Sequence, residues 1–266
     1  MKIFINSIFE KYYQQYPLQL VDIGASGGLQ NHWQAAEKYL QVIGFEPDER
    51  EFSNLISSEQ SNAIRYLNTA LYKKAARLDF FLAKKQMVSS ILKPNRSFLD
   101  DFPEANRFDI EKTIKLQADS IDHQFEKHQI KDVDFIKIDT QGSELSILEG
   151  ANNILKNSVF GLEIEVEFSE IYKKQPLFSE IDNFIRKFGF QLFDLKPYYW
   201  KRKAGQEYGG NKGQLIFADA LYFRNIDKFN SSICFNQDDT WKKTKVLRAV
   251  SICISLWLFG LRLRNF

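Results

Sequence analysis

The run Leu20-Val21-Asp22-Ile23-Gly24-Ala25-Ser26-Gly27-Gly28, followed by Gly44-Phe45-Glu46-Pro47, constrains the fold of this chain more than any other stretch. A short apolar strand runs into an acid and the chain turns tightly through small residues. A second strand then brings in Glu46 at 46 − 22 = 24 positions from Asp22, near the roughly 20 expected for an acid that binds a ribose. Gly24 lets the backbone turn without a Cβ clash, while Ala25 and Gly28 keep side chains away from a ligand lying over the loop. Ser26 and the glycines are expected to lead into a helix whose free N–H groups hold an anion. Read alone, the loop is also compatible with an ordinary glycine turn; Glu46 in register favours a nucleoside pocket.

The glycines fall at 24, 27 and 28 rather than in the G-x-G-x-x-G spacing, so a dinucleotide pyrophosphate fits poorly and a nicotinamide oxidoreductase is disfavoured. The carboxylate end of S-adenosylmethionine fits better, with Asp22 available to its ammonium group.

Short apolar runs recur along the chain with helix-like segments between them, the pattern of an α/β sheet of mostly parallel strands covered on both faces. Strands are expected at Leu18 to Ile23, Gln41 to Phe45, Ile64 to Asn68, Leu78 to Leu82, Asp134 to Ile138, Phe160 to Val166, Phe190 to Asp194 and Leu215 to Phe223. Helices are expected over Leu145 to Asn157 and over Phe178 to Phe188, the second stopped by Gly189. Ligands in such sheets gather at the carboxyl ends of the strands. Asp22, Glu46, Asn68 and Asp139 are all placed there. The segment Ala83 to Lys115 breaks the rhythm with little periodicity, and reads either as a substrate lid or as a solvated surface excursion.

The block Asp134-Phe135-Ile136-Lys137-Ile138-Asp139-Thr140-Gln141-Gly142-Ser143-Glu144-Leu145, with Leu148-Glu149-Gly150-Ala151 after it, resembles the FkbM family of S-adenosylmethionine-dependent methyltransferases. Glu165 to Tyr172, Gln175 to Phe178, Gly189 to Leu195 and Gly213 to Tyr222 extend the resemblance over roughly residues 18 to 224. It implies a class I, Rossmann-like α/β fold: a mostly parallel seven-stranded sheet with helices on both faces and one antiparallel strand near its edge. It also implies methyl transfer to oxygen on a sugar of a glycan, glycan precursor or natural product. By position, Asp22, Gly24, Ala25, Ser26 and Gly28 would meet the amino-acid end of the cofactor, Glu46 the ribose, and Asn68 with Ala70 the adenine. Asp139 would lie beneath the sulfonium.

A sugar hydroxyl is a weak nucleophile, so a base that takes its proton helps; the candidates are Asp139, Glu144 and Glu165, with Asp139 first because it ends a strand at the ligand edge. Capping of the following turn is the structural alternative for Asp139. Glu163, Glu165 and Glu167 alternate on one strand face, where mutual repulsion raises pKa values unless the edge is simply solvated. Tyr199, Trp200 and Arg202, in a loop after the strand ending near Asp194, combine flat apolar faces with a cation and read as an acceptor platform or as a core-anchoring loop. His32, His123 and His128 read as ordinary residues, and no cluster has metal-ligand spacing.

The 36 basic and 34 acidic side chains leave a net charge of +2, which gives no pull toward nucleic acid. Two cysteines, Cys234 and Cys253, are too few for a disulfide framework and fit the cytoplasm. Residues 1–17 are expected to form a leading helix with Ile3, Phe4, Ile5, Ile8, Phe9 and Tyr12 on one face, packed on the domain of residues 18–225 or against a second subunit in a homodimer. In the tail, residues 226–266, the apolar run Ala249 to Leu261 spans 261 − 249 + 1 = 13 residues, short of the roughly 20 that cross a bilayer. With basic residues on both sides it reads as an amphipathic helix that docks on the domain or lies at the inner face of a membrane. A non-catalytic nucleoside-binding protein tethered to a glycan-assembly complex is the alternative to an enzyme.

Overall fold

The computed structural model describes residues 12–59, 61–208, 213–225, 229 and 239–263. Five of the six residues of the expected leading helix face, Ile3 to Phe9, lie outside these residues, and Tyr12, at 49% exposure, faces solvent.

Strands β1 (Leu18–Ile23), β2 (Leu40–Phe45), β3 (Ile64–Leu67), β7 (Phe135–Ile138), β8 (Gly161–Glu167), β9 (Phe190–Trp200) and β10 (Gln214–Arg224) form one seven-stranded sheet. Their order is β3-β2-β1-β7-β8-β10-β9, with β10 antiparallel to both neighbours and the pairs from β3 to β8 parallel. Alternation along each strand sorts side chains onto two faces. Val21 and Ile23, Ile136 and Ile138, and Leu162, Ile164 and Val166 pack in one core cluster beneath the helices. Leu18, Leu20 and Phe135 point the other way. The helices on the first face are α3 (Ile121–Lys127), α4 (Glu144–Glu149), α5 (Asn152–Asn157) and α6 (Phe178–Arg186); α1 (Glu49–Ser58) packs its Leu55 with Ala25 and Tyr66.

Where one helix is expected over Leu145 to Asn157, two short ones form. The break falls at Gly150, where a Cβ would stand 2.5 Å from the carbonyl oxygen of Tyr72, and the Asp122 carboxylate restarts the helix by accepting the N–H groups of Asn153 and Ile154 at 2.7 and 3.0 Å. The glycine loop also departs from expectation. It leads into a 3-10 stretch, Asn31–Tyr39, rather than an α-helix, and its N–H groups have protein acceptors: Gly24 and Ala25 donate to the Phe45 carbonyl, Gly28 to Ala25, and Gly27 to the Glu51 carboxylate. The expected anion cradle is therefore absent at these four positions.

Leu78 to Leu82 does form a strand, but in a separate sheet. β4 (Ala70–Leu71), β5 (Ala76–Ala83) and β6 (Ile110–Asp119) are ordered β4-β6-β5, with β5 and β6 the antiparallel arms of a long excursion. Residues 84–109 between those arms carry a 3-10 turn (Gln86–Val88), the short helix α2 (Arg96–Leu99) and a second 3-10 turn (Ala105–Phe108). Their buried Val88, Leu99, Phe102 and Phe108 pack on Ile171, Tyr172 and Ile216 of the main domain. The irregular segment is thus an ordered cover with its own core, held by the Tyr172 hydroxyl donating to the Val88 carbonyl at 2.9 Å.

Helix α7 (Asp239–Leu263) begins ten residues before the apolar run read from sequence. Its Ala249 and Ile252 are buried with Tyr13, Leu18, Leu20 and Trp33, so this part of the tail docks on the domain; the side chains from Cys253 onward lie outside the described residues. Full burial of a side chain such as Ile252 contributes about 1.5–3 kcal/mol. Among the described residues no helix is long and apolar enough to cross a membrane.

Candidate functional site

A cavity of about 370 Å³ opens at the carboxyl edge of the sheet, bounded by the ends of β1, β2, β7 and β8 on one side and by the ordered cover on the other. Gly24 and Ser26 of the loop line it, as do Glu46 and Ala70. Gly24 is required twice over: its φ is +80°, and a Cβ there would lie 1.9 Å from the carbonyl oxygen of Asp139. Ala25 and Gly28 stand behind the wall, with Ala25 buried against Leu55 and Tyr66.

Glu46 is 6% exposed and lines the cavity. Its own N–H donates to the Leu67 carbonyl at 3.1 Å, its carbonyl accepts from Asn68 Nδ2 at 3.1 Å, and its Oε1 accepts the Asp48 N–H at 2.8 Å. Burial pushes its pKa up to about 7, with the charges of Asp48, Glu51 and Asp22 adding to the effect and the Asp48 N–H opposing it. Asn68, expected at the adenine, instead positions Glu46 from outside the cavity, whose wall at this point is Thr69 and Ala70.

Lys137 is a centre that the sequence reading did not single out. Register places it opposite Asp22 on β1 and Glu163 on β8, so the sheet face that is apolar at Leu20 and Phe135 becomes ionic one step further along. Its Nζ lies 3.2 Å from Asp22 Oδ1 and 3.7 Å from Asp139 Oδ2, and donates to the Gly24 carbonyl at 3.0 Å. Burial works against the ammonium, but the Asp22 and Asp139 carboxylates more than reverse this and keep Lys137 charged. Burial raises the Asp22 pKa, against the pull of Lys137. Asp22 sits beneath the loop rather than on the cavity wall. The available signal was a lysine inside Phe135-Ile136-Lys137-Ile138, all four positions buried.

Asp139, Gln141 and Glu165 line the cavity together. Gln141 is held in the left-handed region at φ 58°, its carbonyl accepting from the Ser90 hydroxyl at 2.6 Å. Its Nε2 donates to Asp139 Oδ1 at 3.0 Å and to Glu165 Oε1 at 2.8 Å, and its Oε1 shares the Tyr172 hydroxyl proton with the Val88 carbonyl, at 3.0 Å. One amide therefore bridges two carboxylates. Burial, with the charges of Asp139 and Glu144 beside it, pushes Glu165 well above the usual carboxylate range. Neither Gln141 nor Tyr172 could be assigned this role from local pattern.

Glu144 does not join them. At 1% exposure its Oε1 accepts the Thr140 N–H at 2.8 Å, the Thr140 hydroxyl at 2.9 Å and the Gly142 N–H at 3.2 Å, so it clamps the turn after β7 and lies off the cavity wall. The acceptor platform also divides. The expected loop is the end of β9 itself, which runs to Trp200. Trp200 lines the cavity, edge-on to Phe102 at 5.6 Å. Tyr199 is 42% exposed and off the wall, while the Arg202 guanidinium pairs with Asp101 and donates to Gln214 Oε1 at 2.8 Å. Among the described lining residues the cation is Arg107, from the cover.

This fold, with its β10 reversed next to the edge and a buried acid at the end of β2, defines a class I, Rossmann-like methyltransferase domain. The family match is to the Methyltransferase FkbM domain over residues 22–192, and the chain belongs to that family, whose cofactor is S-adenosylmethionine. No match is found among curated proteins. Among solved structures, a methyltransferase FkbM from Methylobacillus flagellatus KT is similar at 18% identity and TM-score 0.45, covering 78% of this chain and 43% of that one. Magnesium protoporphyrin IX methyltransferase (ChlM) from Synechocystis PCC 6803, with bound SAM, is similar at 9% identity and TM-score 0.39, over 82% and 77% of the two chains. The match therefore spans somewhat under half the length of the Methylobacillus protein.

The residues present fit the cofactor. A buried carboxylate with raised proton affinity on the wall suits a pair of ribose hydroxyls, and the side-chain-free Gly24 leaves the loop open to the amino-acid end.

Proposed function

We propose that this protein is an S-adenosylmethionine-dependent O-methyltransferase acting on a hydroxyl of a saccharide or glycan precursor. The observation that carries the reading is the Asp139–Gln141–Glu165 bridge on the wall of the cavity that also holds Glu46. A non-catalytic nucleoside binder has no use for two carboxylates tied together on the wall of its cavity.

Glu46 would hold the ribose and Gly24 and Ser26 the amino-acid end; the bound cofactor supplies a methyl group on a sulfonium. Alignment is the larger part of the work, since holding the acceptor oxygen in line near the methyl carbon removes on the order of 7–11 kcal/mol of barrier. Trp200 offers a flat apolar surface for a sugar ring. The Asp139 and Glu165 carboxylates take the hydroxyl proton as a pair. Burial, with the charges of Asp139 and Glu144 beside it, raises the proton affinity of Glu165, and the Gln141 amide keeps one oxygen of each carboxylate aimed at one place.

The test is methyl transfer from labelled S-adenosylmethionine to a glycan panel, after calorimetry with S-adenosylhomocysteine and with NAD. Binding of the first nucleoside alone is expected. Asp139→Asn and Glu165→Gln should each lower kcat by about 10²–10⁴-fold with nucleoside affinity retained. Turnover unchanged in both variants would remove the base assignment, and tight NAD binding would remove the cofactor assignment.

A further inference from the structure

Resting on that reading, we infer that the acceptor carries an acidic oxygen group, a phosphate or carboxylate, which Arg107 grips against the face of Trp200. Five carboxylates stand on the cavity wall, Glu46, Asp48, Glu51, Asp139 and Glu165, and among the described lining residues Arg107 is the sole cation. It faces none of these in an ion pair. Its recorded partner is Glu104 at 4.0 Å, a side chain 80% exposed, and its buried Nε has no hydrogen-bond partner among the described residues. A guanidinium carries five donors in a rigid fork that matches two oxygens of an anion; with Nε covered by protein and the side chain 31% exposed, the terminal nitrogens are the donors left to meet something that enters the cavity.

The side chain is also held in place rather than trailing. Its guanidinium carbon lies 4.8 Å from the Trp200 ring centroid and 5.0 Å from that of Phe108, two rings that fix its plane. The backbone is fixed as well: the Arg107 N–H donates to the Glu104 carbonyl at 3.0 Å, its carbonyl accepts from Lys85 at 3.1 Å, and Glu104 sits in the left-handed region at φ 57° to start the turn. A strained, two-ring mount for one cation at a cavity wall is more than packing requires. The anion would dock on the cover side, and the hydroxyl to be methylated would reach the Asp139–Glu165 side. The cavity thus reads charge at one wall and performs proton transfer at the other.

The experiment titrates inorganic phosphate, then glucose 1-phosphate, glucuronate and glucose, into the full chain, with and without S-adenosylhomocysteine, for wild type, Arg107→Gln and Arg107→Lys. Thermal unfolding checks each variant. The anions are expected to bind about tenfold to a hundredfold more tightly than glucose, the scale of a charged hydrogen bond. Arg107→Gln should erase that preference, and Arg107→Lys, which keeps the cation over the rings, should restore part of it. A stronger response to the phosphate ester or to glucuronate tells the two oxyanions apart.

Equal binding of glucose and the anions, or no binding of any anion, overturns the proposal. So does a loss of S-adenosylhomocysteine affinity in Arg107→Gln with methylthioadenosine unaffected, because Arg107 would then hold the cofactor's carboxylate. Failure of wild type to bind S-adenosylhomocysteine overturns the methyltransferase reading instead; the phosphate titration without nucleoside still judges Arg107.

Discussion

Two buried lysines stand at opposite ends of β7, each between two aspartates, and only one of the two groups faces a cavity. At the amino end, Lys245 of α7 lies 2.5 Å from Asp132 Oδ1 and 2.7 Å from Asp134 Oδ1, with no exposed surface of its own. Arg248 pairs with the same two carboxylates. Although burial raises the Asp132 pKa, Lys245 and Arg248 outweigh it and hold the group down to about 2. At the carboxyl end, Lys137 has longer contacts, 3.2 Å to Asp22 and 3.7 Å to Asp139, and the Asp139 side chain is 36% exposed. The first group answers every charge from within the protein. In the second, one carboxylate is left over to meet what enters from outside. The same residue types make a clamp or a site according to whether the last partner is protein or cavity.

Replacing Lys245 with methionine keeps much of the stem's volume but leaves two buried carboxylates to one arginine. Urea unfolding should show a loss of about 3–5 kcal/mol, with methylthioadenosine affinity unchanged in the folded protein. A matching loss of affinity would join the two ends of β7 into one network and break the contrast. Lys137→Met should act the other way. The Gly24 carbonyl loses its donor and Asp22 and Asp139 lose the cation between them. Nucleoside affinity, read by the same titration, should fall about tenfold to a hundredfold, more than the unfolding midpoint would indicate. Unaltered affinity would make Lys137 a second clamp.

Much of this contrast was legible in outline only. The strand-and-glycine run and the 24-residue step to Glu46 placed β1, β2 and the acid because those features are local. Asp139 followed from the end of β7, and Trp200 from its aromatic neighbours. What escaped depends on segments distant in sequence. The Tyr72 backbone splits the expected helix at Gly150, and the Thr140 and Gly142 donors turn Glu144 inward. Val88 and Tyr172 meet across 84 positions to fasten the cover that delivers Arg107. Periodicity tells which face of a strand is buried. It does not tell which buried polar group reaches a cavity.

The smallest expected effect concerns Glu46, whose environment lies between the two lysine groups: buried like the clamp, yet on the wall like the site. With its pKa raised to about 7 by burial, the carboxylate is ionised above that pH and protonated below it. Ribose hydroxyls donate to the ionised form, so methylthioadenosine, which has no group titrating nearby, should bind at full strength above pH 7 and lose about tenfold in affinity per unit below it. Folding runs with the opposite sign. An acid whose pKa is raised on folding contributes stability below its unfolded value near 4.5 and loses it as pH climbs toward 7. Glu46→Gln should therefore flatten the binding profile at a uniformly weak level while making the ligand-free protein more resistant to urea at pH 8 than wild type. A binding profile that stays flat in wild type would mean that the Asp48 N–H already answers this carboxylate, as the lysine and arginine answer Asp132 at the other end of β7.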